Sequence, residues 1–162
     1  MPVLPYLQFA PSLGHDVSIA STATVVGKVS IVGPARIEDG GVLRGDQNHI
    51  EVGPRFKMGR GSTVHVEFHT PTLIGADVWL GEAVVIHACM LGDGVRVEDG
   101  GLVLSSSSVG AGSIVAADAL VAEGVAFPEH SYIAGAPGRR IRDTTADERA
   151  ETIARVARAL SL

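Results

Sequence analysis

Along most of the chain an aliphatic residue is followed by a small or acidic one, and the pair returns about every six residues. It stands at Val26-Gly27, Val32-Gly33, Val52-Gly53, Met58-Gly59, Ile74-Gly75, Leu80-Gly81, Leu91-Gly92, Val97-Glu98, Val109-Gly110, Val115-Ala116 and Val121-Ala122. From Leu91 the aliphatic positions run 91, 97, 103, 109, 115, 121 without a slip. A helix would show a period near 3.6 and an ordinary strand a period of 2. A period of six is that of a parallel β-helix, in which each hexad is one short strand plus a corner and three hexads make one coil. No coil can bury its inward aliphatics alone, so the coils must stabilise one another by stacking. Val97, Val103, Val109 and Val115 are predicted to point inward.

The pattern has interruptions. Steps of six from Val26 and Val32 put inward positions at Glu38 and Arg44, which do not suit a core. Insertions follow at "DQNHIE" and "HVEFHTPT", and one residue is dropped between Ile86 and Leu91. In a repeat protein, interruptions map to loops and functional edges. After Val121 the repeat is expected to end. The run "FPEHSYIAGAPGRRIRD" reads as a connector, and "TADERAETIARVARAL" as a helix opened by a capping box of Thr145 and Glu148. Its apolar face would be Ala150, Ile153, Val156, Ala157 and Leu160. The expected division is a β-helix over 1–127 and a connector with a helix packed on the solenoid over 128–162.

Composition narrows the class. A chain of 162 residues is one domain by default. With 46% hydrophobic but only 4% aromatic residues, the core must be aliphatic. The net charge of −5 argues against nucleic acid and against an anionic membrane as partners. The single cysteine, Cys89, excludes an internal disulfide and suits a reducing compartment, so a cytoplasmic location is expected. The start "MPVLPYLQFAPSLG" carries no basic segment and no long apolar run, so neither a signal peptide nor a membrane span is expected.

The candidate chemistry lies in the histidines. Val64, Ile74, Leu80 and Ile86 complete one coil, so His65 and His87 should point the same way from adjacent coils, about 4.8 Å apart at the backbone. Two imidazoles so placed can share a zinc ion. Counting back one coil brings Arg44-Gly45-Asp46 beneath His65. Glu82, in "VWLGEAVVIHACML", falls on the neighbouring face and would reach that point only across a subunit contact. A three-faced prism is suited to threefold assembly. His69 is a further candidate in the second insertion, while the serines at 105–108 read as a polar outer face.

The runs "VLRGDQNHIEVG", "STVHV", "PTLIGADVWLGEAVVIHACMLGDG" and "IAGAPGRRIR" together resemble the γ-class carbonic anhydrases and their relatives, over about residues 17–148. The resemblance implies an all-β fold, a left-handed parallel β-helix of hexapeptide repeats with a C-terminal α-helix, assembled as a homotrimer. It implies a zinc ion, or iron, at the subunit interface, with ligands falling on His65, Glu82 and His87, and with Arg44 and Asp46 as catalytic residues. The family has a third histidine where this chain has Glu82. Where the family usually reads Asn-Ile-Gln-Asp-Gly this chain reads Lys57-Met58-Gly59-Arg60-Gly61, and Ala88 stands for a usual glycine. His₂Glu is a legitimate zinc shell, but the added negative charge weakens the metal's pull on water. Three functions remain open. The first is a metal-dependent lyase acting on carbon dioxide, bicarbonate or a small carboxylate by hydration, dehydration or isomerisation. The second is an inactive binding or scaffold protein, and the third a hexapeptide acyltransferase.

Overall fold

The computed structural model describes residues 3–162. Short parallel strands stack into a three-sided, left-handed β-helix of about seven turns, closed by one C-terminal helix. Each side is a ladder of inward aliphatics held in register. The first face stacks Val25, Leu43, Val64, Ile86, Val103 and Val121. The second stacks Ile31, Val52, Ile74, Leu91, Val109 and Phe127. The third stacks Ile19, Ile37, Met58, Leu80, Val97, Val115 and Ile133. Nearly all of these side chains are buried, among them Val97, Val103, Val109 and Val115 as the hexad predicts. At roughly 25 cal/mol per Å² of apolar surface, this continuous core is the main source of stability.

The early coils differ from the sequence frame by one residue. Val25 and Ile31 point inward, whereas Val32 is 51% exposed. Two adjacent aliphatics stand at each of these strands, and the one before glycine is the outer one. With the frame corrected, the positions run 25, 31, 37, 43, and Ile37 and Leu43 replace the misfitting Glu38 and Arg44. The repeat also continues past Val121: Ala126–Phe127 and Ser131–Ala134 extend the parallel ladders, and Arg139–Asp143 returns antiparallel on the last strand.

The true irregularities are three, and all fall between the first and second faces. The step is nine from Leu43 to Val52, ten from Val64 to Ile74 and five from Ile86 to Leu91, against six from Val25 to Ile31. One corner of three consecutive coils is therefore rebuilt, while the other two corners keep the repeat. Ala88, at the third of these bends, takes a left-handed conformation with φ 49° and is fully buried.

The helix α1 (Ala146–Leu160) begins with the predicted capping box, in which the Thr145 hydroxyl accepts from the Glu148 N–H and the Glu148 carboxylate accepts from the Thr145 N–H. It packs on the outer side of the third face, over Ala35–Ile37, Phe56–Met58 and Val78–Leu80. Of the predicted stripe only Val156 is buried, together with Thr152; Ile153 is 49% exposed. The reason lies in the surface beneath. That side presents Lys57 and Trp79, with the Lys57 ammonium 4.2 Å from the indole centroid. The helix meets this polar-aromatic surface through Arg155, which also pairs with Glu98. None of the described helices is long and apolar enough to cross a membrane.

Candidate metal site at the irregular corner

His65 and His87 end the strands Thr63–His65 and Val85–His87 on the first face, and they pair in register. Their ring centroids lie 5.2 Å apart, tilted by 52°. Both are partly buried, with side-chain exposures of 16% and 28%. The hexad count therefore brings these two residues together across 22 positions of sequence.

Each ring is held from behind. The long strand Val42–Val52 carries Asp46 to His65, whose Nε2 lies 2.9 Å from Asp46 Oδ1. The same carboxylate accepts from the Gln47 N–H at 2.8 Å, and its Oδ2 lies 3.5 Å from Arg44 Nη1. Burial raises the Asp46 pKa, but hydrogen bonds from His65 and Gln47 and the nearby positive charge outweigh it, so the group sits below its ordinary value. His87 is held through its other nitrogen. Nδ1 lies 2.9 Å from the Ser105 Oγ, and the Ser105 hydroxyl donates to Glu67 Oε1 at 2.6 Å. Glu67 comes from the second insertion, whose turn is closed by paired backbone hydrogen bonds between Glu67 and Thr70. Thr72 and Asn48 tie that loop down, bonding the carbonyls of His65 and Phe68.

The other sequence candidates lie apart. Glu82 is exposed at the opposite end of the first face, with its N–H bonded to Asp99 Oδ1. A turn at Glu82 and Ala83, where Ala83 has φ 53°, and then the strand Val85–His87 separate it from the His87 ring. It lines a groove with Arg36, Lys57, Arg60, Trp79 and Arg155 beside the end of α1. His69 stays in its loop, exposed and edge-on to Phe68. A Cβ at Gly59 would lie 2.2 Å from the Gly81 carbonyl oxygen, so the glutamine suggested by the resemblance has no room on this backbone. Sequence reading missed Glu67 and Ser105. Ser105 belongs to the serine run read as an outer face, yet it is 6% exposed and Ser107 is 2% exposed.

Zinc accepts imidazole nitrogen readily, and metal-binding histidines are usually braced through their second nitrogen, as both are here. Among the described residues, however, no three His, Cys, Asp or Glu side chains gather into a group that could hold a metal ion. The donor set of one chain fits half of a zinc shell.

No protein-family model matches the chain. A solved structure of a hexapeptide transferase family protein from Anaplasma phagocytophilum superposes with a TM-score of 0.93 and 31% identity, over 98% of this chain and 94% of that one. Gamma carbonic anhydrase 2, mitochondrial, of Arabidopsis thaliana is 34% identical over 145 residues, 86% of this chain. The chain belongs to the γ-carbonic anhydrase-like family of hexapeptide-repeat proteins. It spans about half the length of the Arabidopsis relative, 52% of it. The protein YrdA of Escherichia coli is 29% identical over 153 residues, covering 90% of this chain and 83% of that protein. Membership agrees with the hexapeptide-repeat prism.

Proposed function

We propose that this protein is a metal-dependent lyase of the γ-carbonic anhydrase type, acting on carbon dioxide, bicarbonate or a small carboxylate. The observation that carries the reading is the stacked pair of His65 and His87, each braced by a separate polar partner. A zinc ion, or iron, would be held by these two histidines of one copy and Glu82 of the next, in a homotrimer. Bound there, the metal would supply a Lewis acid that brings the pKa of water towards neutrality. Asp46 is anionic at neutral pH and keeps its oxygens as acceptors that hold His65 in place and orient a water. Arg44, half-exposed beside it, would bind the anionic substrate or product.

Two features of the chain support a trimer. The histidines and Glu82 stand at opposite ends of one face, so a head-to-tail contact that closes after three copies brings them together. The outer side of that face carries Val42, Val85, Leu102 and Leu120, half-buried in the single chain and stacked in register through Thr63. Such an aliphatic stripe favours burial against a second copy.

The test is carbon dioxide hydration by the zinc-loaded protein and by Glu82→His. Replacing the carboxylate with a neutral imidazole should raise the rate at neutral pH, because the ion then polarises water more strongly. A parent and a variant both inactive, with both carrying zinc, would remove carbon dioxide and bicarbonate as its substrates. The likeness to the Anaplasma hexapeptide transferase family protein supports a second reading, group transfer such as acyl transfer, and turnover of acetyl-coenzyme A by the same preparation would select it.

A further inference from the structure

The second insertion and the serine run meet on His87, and neither is explained by the repeat. Glu67, His87 and Ser105 come from three successive coils and form one hydrogen-bonded chain. We propose that Ser105 and Glu67 are positioning residues that fix the His87 imidazole as its Nδ1–H tautomer, leaving the Nε2 lone pair free.

The assignment follows from counting donors. An ionised carboxylate only accepts, and a hydroxyl has one hydrogen. That hydrogen is directed at Glu67 Oε1, 2.6 Å away. The Ser105 oxygen therefore turns lone pairs toward His87 Nδ1 at 2.9 Å. Two facing lone pairs would repel, so Nδ1 must carry the proton and donate it. A neutral imidazole protonated at Nδ1 has its acceptor at Nε2. Glu67 cannot replace Ser105 directly, since its Oε1 lies 3.8 Å from Nδ1, beyond hydrogen-bond reach. Ser105 is nearly buried, so water does not compete freely for its hydroxyl.

His65 shows that this is a local device. Its braced nitrogen is Nε2, against Asp46, so the two stacked rings are held through opposite nitrogens. The second insertion thereby gains a purpose: it carries the Glu67 carboxylate past the next coil to Ser105. The purpose of a free His87 Nε2 rests on the metal reading above, but the tautomer itself does not.

The test uses the full chain, stripped of metal with a chelator and labelled with ¹⁵N. Long-range ¹H–¹⁵N correlation spectra are recorded at increasing pH until the ring nitrogens stop shifting, so that the neutral form is the one read. In the parent, His87 Nδ1 should resonate in the protonated range and Nε2 in the unprotonated range. Ser105→Ala should shift His87 toward the Nε2–H form, whereas Ser105→Thr, which keeps the hydroxyl, should retain the parent pattern. His65 should be unchanged in both. A parent with His87 protonated at Nε2, or a Ser105→Ala protein with the parent pattern, overturns the proposal. If Ser105→Ala does not fold, the parent spectrum and Ser105→Thr decide. Zinc affinity, measured by competition with a chromophoric chelator, should fall about 10–100-fold in Ser105→Ala. A parent that binds no zinc but shows the Nδ1–H tautomer would defeat the metal reading and leave this one standing.

Discussion

Ile86→Ala probes the link between core and site. Ile86 is fully buried, in register between Val64 and Val103, and is joined directly to His87. The substitution removes three carbons. At ~0.8 kcal/mol per buried carbon the transfer loss is ~2.4 kcal/mol. If the walls stay in place the cavity is on the order of 80 Å³, adding up to ~2 kcal/mol at ~24 cal/mol per Å³. The walls are strands held by backbone hydrogen bonds at a spacing of about 4.8 Å, so they cannot close over the gap as loosely packed helices might. The expected loss is therefore in the upper part of the usual range, about 3–4 kcal/mol. Equilibrium urea denaturation at one fixed protein concentration would measure it, since assembly also contributes to apparent stability. Ile153→Ala, on the half-exposed side of α1, is the control and should lose less than ~1 kcal/mol. An Ile86→Ala loss below ~1.5 kcal/mol would refute the rigid-column reasoning.

Three further outcomes follow from single residues. Ala83 is exposed with φ 53°, so Ala83→Gly should raise stability by ~0.5–1 kcal/mol in the same denaturation assay, and a loss would contradict it. Glu148 is held down to about 2, first by Arg142 and then by the Thr145 N–H. Its folded pKa lies below its unfolded value, so its contribution is present above about pH 4.5 and is lost as pH falls towards 2. Allowing for solvent screening at a partly exposed pair, Glu148→Gln should cost ~1 kcal/mol at pH 7, with the gap closing in acid. Burial pushes the Cys89 thiol up to about 12, so the native chain should resist a thiol reagent at pH 8 and react fully once unfolded.

The period of six disclosed the coils because each inward position is a separate aliphatic, and from Leu91 onward nothing competes with it. It misplaced the first coils because Val25-Val26 and Ile31-Val32 offer two aliphatics where one points inward. It ended the repeat too early because Phe127 and Ile133 flank Pro128, Glu129 and His130, and Gly135-Ala136-Pro137-Gly138 follows, a run that resembles a connector. The pairing of His65 with His87 was legible because it depends only on counting hexads across an insertion. The Glu67–Ser105 brace was not, since it joins residues 38 apart through side-chain hydrogen bonds that no periodicity records. Most of the packed face of α1 was also hidden: of the helix's hydrophobic stripe only Val156 is buried, and Arg155 meets Trp79 beneath it.

The central claim is a metal shell completed between copies of the chain, with His65 and His87 on one side and Glu82 on the other. Native mass spectrometry of the purified full chain tests it most directly, because one spectrum reports assembly and metal content together. The prediction is a trimer carrying three zinc or iron ions, with monomers released from it carrying none. A metal-free trimer from metal-replete cells, or a monomer that retains its metal, would contradict the claim.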